Sequence, residues 1–582
     1  MSAFDPVSLE IMWSRLINII EECWVTLWRT SFSTIIGEVN DFGCQLMDAG
    51  GNSIVHSPRS MPVFNLVQPG MAKMLLEAYP PHAQAEGDVF ICNDPWVGPG
   101  HLFDVAVVTP VFRRGTLVAL VGSMAHCSDI GGTKDSGNAR EIYDEGLQIP
   151  PLPLYRAGVL NEDLAQLIRR NVRKPDMVFG DIQAQVSSNR VGARRLPEFM
   201  DEYGLESLEP LAKEVQSRSE RVMRQAIAAI PNGVYRSEVH VPVAGDRLRL
   251  PCAVFVEDDE LTVDFAGAPP QAPRGAVNCT LTYTTAHTLY AVKTILTPQT
   301  ASNADCFGPL HVRAPEGSIL NCRYPAAVNQ RTMVGWFCGP AVFRALAPVL
   351  PERVQAFTGL PASFSAYGVD ADGRVFNNHY MFGGGQGASH HGDGRSALMY
   401  PTSACNASVE VFEQRTPILI ERKDLIADSA GPGQHRGGPG QRLAIRKLHD
   451  DDRPVLLNML THATGWGMQG LLGGGAGRDG GCYRNGVEMS GKPGMSVFLE
   501  LRDAADLVAV EASGGSGFGD PAARPAELVA RDLEEGYVSA RETAAAATGG
   551  RADAELAGKR KDGAAHADRR SKAKQASSRK TR

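Results

Sequence analysis

Two apolar runs of β type, residues 105–112 and 116–124, are separated by Arg113, Arg114 and Gly115, a loop of hairpin length that ends in glycine. A three-residue loop of Arg114, Gly115 and Thr116 sets Arg113 opposite Leu117, and counting outward then sets Asp104 opposite His126. Directly opposed side chains have Cβ atoms about 4.5–5.5 Å apart. A two-residue loop would slip the pairing by one residue and aim Asp104 at the other face. Pro110 has no amide hydrogen, so its strand is expected at a sheet edge or beside a bulge.

Around this hairpin the pattern alternates between helix and strand. Asp5-Pro6 reads as a helix start, and Leu9, Met12, Leu16, Ile20 and Trp24 follow at helical spacing. Residues 38–48, a Gly50-Gly51-Asn52 turn and residues 53–56 read as a second hairpin, with a short helix over 71–79. Helices are expected over 161–173, 181–195 and 205–229. Pro231-Asn232-Gly233 marks a boundary, after which strands are expected over 234–243, 248–256 and 260–265, and a helix over 284–296. Beyond lies a glycine-rich region. None of its glycine clusters continues as G-K-[ST], so they are read as turns or bulges, not phosphate cradles. His379, His390, His391 and Asp393 flank the first cluster; a surface loop is expected, with a loop lining a cleft as the alternative.

The fold class expected is mixed α/β (α+β), multi-domain, with substantial antiparallel sheet. The expected divisions are an N-terminal metal-binding α/β domain over 1–230 and a β-rich, glycine-rich region over 231–520. A C-terminal helix over 521–548 and a disordered basic tail over 549–582 complete the chain. A length of 582 residues fits two to four domains, and 43% hydrophobic with 21% charged residues is a globular composition. The net charge of −7 does not point to nucleic acid. Eleven cysteines without a C-x-x-C pair fit reduced thiols, and no apolar stretch reads as a signal peptide or spanning helix, so a cytoplasmic location is expected.

The hairpin ends carry the candidate chemistry. Asp104 and His126 are close enough to share one metal ion, given Zn–N and Zn–O bonds of about 2.0–2.2 Å. His101, three residues before Asp104, is within reach of the same ion. Imidazole with carboxylate suits Zn, Mn or Fe without selecting among them. The bland alternative is a hairpin whose ends carry solvated polar groups.

Several stretches resemble the hydantoinase B/oxoprolinase family: N-D-P at 93–95, H-L-F-D at 101–104, H-C-S-D-I-G-G at 126–132, E-G-L-Q-I-P-P at 145–151, P-A-A-V at 325–328, G-G-G-Q-G-A at 383–388 and G-G-S-G-F-G-D-P at 514–521. The resemblance implies a catalytic metal subunit whose partner, a hydantoinase A-type subunit, uses ATP and Mg to phosphorylate a carbonyl oxygen of a cyclic amide or ketone. It implies a hetero-oligomer acting without nucleic acid or membrane. It also implies Asp41, His101, Asp104 and His126 as metal ligands; Asp41 rests on the resemblance almost alone. Asp129 or His101 is the expected general base, with Gln386 and His390 expected on the substrate or oxyanion side. Two positions depart from the family pattern, which often has histidine where this chain has Phe64 and Cys127. Cyclic-amide hydrolysis leads, with ketone carboxylation and a non-catalytic scaffold as alternatives.

Overall fold

The computed structural model describes residues 4–243, 246–460, 469–489 and 496–540; the expected basic tail and residues 541–548 of the expected last helix lie outside them. The N-terminal half is built on one seven-stranded sheet. Its spatial order is Ser53–His56, Phe42–Asp48, Thr116–His126, Asp104–Arg113, Val89–Cys92, Leu152–Arg156 and Val159–Leu160, and every neighbouring pair is antiparallel.

Strand alternation gives this sheet two covered faces. Val105 and Val107 pack with Phe179, Ile182 and Val186 of the long helix Pro175–Glu202. Val108 and Leu120 pack instead with Ala72 and Leu75 of the helix Pro62–Ala78. Asp104 shares the parity of Val108, so the hairpin ends belong to the face covered by Pro62–Ala78. The first helix, Pro6–Thr30, is capped by Asp5, whose carboxylate accepts from the amides of Val7 and Ser8. The helix expected over 71–79 starts nine residues earlier, at Pro62, because Pro69 is accommodated inside it.

The central hairpin corrects one expectation and keeps its consequence. Arg113 pairs with Thr116, so the loop is the two residues Arg114 and Gly115, both with positive φ (52° and 79°) as a tight primed turn requires. The register shifts between Val111 and Phe112, because Val111 pairs with Ala119 and Phe112 with Leu117. That bulge at Val118 restores the slip a two-residue loop introduces, and Asp104 pairs with His126. Pro110 sits in an interior strand, beside this bulge and beyond the part paired with Val89–Cys92.

The rest of the chain adds three sheets. One comprises Leu310–Arg313, Glu260–Asp264, Asp246–Glu257 and Gly233–Val243. A second comprises Val375–Phe382, Ala362–Val369, Val455–Leu460 and Val497–Leu501. A five-stranded sheet runs from Ile418–Leu425 to Val487–Glu488. A continuous hydrophobic core joins the first helix to Phe518. None of the eleven cysteines is in a disulfide, and ten are buried. No helix among the described residues is long and apolar enough to cross a membrane.

The glycine clusters are neither turns nor bulges for the most part. Segments 383–394, 429–440, 470–480 and 512–519 lie backbone against backbone. Gly385 N donates to Ser513 O (2.9 Å), Gly438 N to Gln386 O (2.7 Å) and Gly515 N to Gly438 O (2.9 Å). A Cβ on Gly385 would meet Gly438 O at 1.8 Å. Gly385→Ala is therefore expected to cost about 2–3 kcal/mol or more, because backbone on both sides must move. Urea unfolding of variant and parent checks this.

Candidate metal centre

His101, Asp104 and His126 form one compact group, with one ligating atom from each lying within 4.8 Å of the others. The hairpin supplies two of them as a cross-strand pair, and the turn 94–103 returns His101 beside Asp104. His101 Nε2 is 2.8 Å from Asp104 Oδ2, and His126 Nδ1 is 3.1 Å from Asp104 Oδ1. Asp41, at the start of the neighbouring strand, stands one step outside this group: its Oδ2 is 3.9 Å from His126 Nδ1. The His126 amide donates to Asp41 O, which ties the two strand ends together.

The state of His101 follows from its other nitrogen. Asn329 Oδ1 lies 3.1 Å from His101 Nδ1, and Asn329 Nδ2 donates to Ser136 Oγ (2.9 Å). With the amide so oriented, Nδ1 carries the proton and Nε2 the lone pair. Burial, with the Arg331 guanidinium nearby, pushes the imidazole down to about 4, so the ring is neutral. Burial by itself pushes the Asp104 carboxyl up, but its neighbours hold it below the usual carboxylate range: with His101 neutral, His126 Nδ1 at 3.1 Å and the Arg331 guanidinium at 3.2 Å keep the group ionised. The lone pair of Nε2 thus faces an ionised oxygen at 2.8 Å, and Nε2 makes no hydrogen bond among the described residues. Two acceptors facing each other in a buried site call for a proton or a metal ion between them. The donor set, two imidazoles and a carboxylate, fits Zn, Mn or Fe(II).

Arg331 carries no signal in the sequence that marks it as a site residue. It is 6% exposed, its NH2 group lies 3.2 Å from Asp104 Oδ2, and its guanidinium stacks 4.7 Å above the Tyr283 ring. Arg331 and Asn329 belong to a loop held by Glu145, whose Oε1 accepts from the amides of Val328 (2.7 Å) and Asn329 (2.8 Å). Glu145 is buried, its Oε2 has no partner among the described residues, and burial raises its carboxyl to about 8. An unfolded glutamate titrates near 4.3, so the folded state binds the extra proton and stability is lost as pH rises from about 4.5 to about 8. Glu145→Gln lacks this titration and keeps the oxygen acceptor. Relative to the variant, the parent is expected to lose up to about 1.4 kcal/mol per pH unit in that window, levelling off above it; urea unfolding across pH checks this.

The group sits in a cavity of about 200 Å³. One side is the metal hairpin. Met61, Val63 and Phe64 at the start of Pro62–Ala78 and Tyr283 and His287 of Leu281–Leu296 line a second side. The third is the sheet of Ala362–Val369, Val375–Phe382 and Val455–Leu460, which contributes Ser365, Tyr367, Asn377, His379 and Asn458. His379, expected on a surface loop, is instead on a strand lining the cavity. Burial, with His126 nearby, pushes its imidazole down to about 3, and Ser365 Oγ lies 2.8 Å from its Nδ1.

Three expected site residues lie elsewhere. Asp129 does not line the cavity: its carboxylate accepts from the backbone amide of Arg173 and, at 2.7 Å, from the Arg173 guanidinium. Oδ1 accepts from the guanidinium and the Gly131 amide and Oδ2 from the Arg173 amide, so both oxygens are engaged, and Asp129 anchors a loop and is not placed as a base. Gln386 is held in the glycine bundle, accepting from the Arg395 amide and donating to Gln355 Oε1. His390 is exposed and meets Phe518 edge-on, with ring centroids 6.4 Å apart. Neither lines the cavity, so neither is placed for an oxyanion role. Of the two departures from the family pattern, Phe64 lines the cavity and Cys127 is buried, donating to Asp129 O.

Comparison with known proteins agrees with this architecture. The family model for hydantoinase B/oxoprolinase matches residues 5–521. The B component of a putative D-/L-hydantoinase from Pseudomonas sp. (strain NS671) is 29% identical, over 93% of this chain and 94% of that one. The beta component of the caprolactamase of Pseudomonas jessenii is 28% identical over 93% and 95%. 5-Oxoprolinase 1 of Arabidopsis thaliana is 27% identical, and the match spans 42% of its length. The solved structure of ATP-dependent caprolactamase from Pseudomonas jessenii superposes with a TM-score of 0.82, at 26% identity, over 92% of this chain and 95% of that one. Nucleotide-free acetone carboxylase shares the fold, with a TM-score of 0.81 at 20% identity over 92% and 78%. The chain belongs to the hydantoinase B/oxoprolinase family.

Proposed function

We propose that this chain is the metal-dependent catalytic subunit of an ATP-dependent cyclic-amide hydrolase, acting on a ring whose carbonyl oxygen a hydantoinase A-type partner has phosphorylated. The observation that carries the reading is the pair of acceptors facing each other at 2.8 Å, His101 Nε2 and Asp104 Oδ2, beside His126 in the lining of one cavity. The names of the relatives support the reaction class: a hydantoinase subunit, a caprolactamase subunit and 5-oxoprolinases. Those names also support a partner, and the longer 5-oxoprolinases, in which the match takes under half the length, fit the same division of labour.

An amide resists attack because its nitrogen lone pair feeds the carbonyl, and phosphorylating the oxygen removes that protection. His101, Asp104 and His126 would hold the divalent cation, with Asp41 as the fourth donor. Bound there, the cation supplies Lewis acidity, which acidifies water and polarises an oxygen. Asn329 keeps His101 in the tautomer that presents Nε2, and Arg331 keeps Asp104 aimed at the same point. Phe64 and Met61 give the cavity an apolar side beside the metal group.

The test is co-expression with the ATP-dependent subunit and a screen of lactams, hydantoins and ketones. Ring opening coupled to ATP turnover, lost after chelation and restored by Zn, Mn or Fe(II), is the expected result. ATP-dependent incorporation of labelled bicarbonate into a ketone would point to the carboxylase reaction instead. Full turnover by a metal-free His126→Ala complex would leave the chain a scaffold.

A further inference from the structure

The two helices beside the metal cavity also line a second one. Pro62–Ala78 turns Val63 and Phe64 to the metal cavity. On its other side Pro62, Asn65, Leu66, Pro69 and Lys73, at helical spacing, line a cavity of about 660 Å³. Leu281–Leu296 lends Tyr283 and His287 to the first cavity, and Leu289, Tyr290 and Lys293 to the second. None of the described residues lines both. The second volume falls within the range of small-molecule sites, about 300–1,000 Å³.

Its lining holds a buried charge without a counter-ion. Lys293 is 7% exposed and makes no ion pair among the described residues. Its ammonium donates to Thr297 O, at the end of its own helix, which uses one of three N–H groups. Burial pushes the ammonium below the usual lysine value. A buried charge is costly unless it is paired. The other charged residue of the lining is Lys73, which is exposed; Asp305 stands near it but does not line the cavity. His56 Nδ1 lies 3.0 Å from Ser57 O, so that nitrogen carries the proton. Burial, together with the Lys293 ammonium, lowers the imidazole, so His56 is neutral and Lys293 is the single buried charge of the lining. Asn65 is 9% exposed, its Oδ1 is buried, and its side-chain amide makes no hydrogen bond among the described residues. A buried amide of this kind wants a partner as well.

We propose that this cavity is a second binding site, separate from the metal centre, for a small organic monocarboxylate, with Lys293 as its counter-ion and the Asn65 amide as a hydrogen-bond donor. One buried positive charge matches one negative charge, which favours a carboxylate over a phosphate dianion. Val55, Leu66, Leu289 and Phe307 give a hydrocarbon body apolar surface to lie on. The assignment does not depend on the cyclic-amide reading, because no residue of the metal cavity takes part.

Calorimetry and ligand-observed NMR on the full chain, metal-loaded and chelator-treated, test the proposal. The probes are butyrate, its neutral isostere butyramide, and inorganic phosphate. A carboxylate can also meet a metal ion, so the chelated chain separates the two sites. Butyrate is expected to bind both forms, at least about tenfold more tightly than butyramide or phosphate. Lys293→Met should weaken butyrate by about tenfold or more, the worth of a hydrogen bond to a charged group, and leave butyramide unchanged. Lys293→Arg should recover part of the loss. Asn65→Leu, which keeps every charge, should weaken butyrate by up to about tenfold, and it carries the test if Lys293→Met does not fold. Metal content by mass spectrometry should be parental in each folded variant. Butyrate binding confined to the metal-loaded form, equal binding of butyramide, a preference for phosphate, or butyrate affinity unchanged by the substitutions would each overturn the assignment.

Discussion

Asp104→Asn is expected to abolish tight metal binding and to lower turnover by about a thousandfold. The change keeps the shape of the side chain and removes its charge. Asp104 is the hinge of the group: its two oxygens lie 2.8 Å from His101 Nε2 and 3.1 Å from His126 Nδ1. Outer partners of a metal ligand are worth about 10–100-fold, and a direct ligand more. The variant also leaves the buried Arg331 guanidinium without its counter-ion, so folding must be verified by circular dichroism before metal is counted. A folded variant that retains one metal per chain and parental turnover would remove Asp104 from the centre.

Arg331→Met is expected to act on stability, and to act differently with and without metal. Arg331 neutralises a buried carboxylate, donates to Pro99 O and stacks on Tyr283. Removing one partner of a buried ion pair costs about 3–5 kcal/mol, mainly through the charge left behind. A divalent cation at the same carboxylate takes over that neutralisation. The metal-free variant should therefore unfold at lower urea by an amount corresponding to about 3–5 kcal/mol, and the loaded variant by clearly less. Equal losses in both forms would mean that the cation does not sit against Asp104.

Much of the centre is legible in the sequence because a hairpin converts spacing into distance. Asp104 and His126 can be paired by counting, yet the count assumes a three-residue loop. The molecule uses a two-residue turn with a bulge at Val118, two departures that cancel. The cancellation is invisible locally, since Arg114 gives no sign of its positive φ and Val118 none of its bulge. The opposite wall escapes a reading of the sequence although its signal is present: Ser363, Ser365 and Tyr367 alternate with the buried Phe364 and Ala366, as a strand facing a polar cavity should. The glycines near His379 suggest a loop, when its own strand, Val375–Phe382, decides its place. Arg331 and Asn329 have no pattern to betray them, because their position depends on Glu145 reaching across from another segment. The glycine clusters mislead because close packing of backbone against backbone leaves the same composition as a series of turns.

The claim beneath all of this is that His101, Asp104 and His126 hold one divalent cation. Anomalous diffraction from crystals of the metal-loaded protein, collected on both sides of the metal's absorption edge, measures that directly. The account predicts a single peak bonded to all three side chains at about 2.0–2.3 Å. A peak bonded elsewhere, or a stoichiometrically loaded protein with no peak between these three residues, would contradict it.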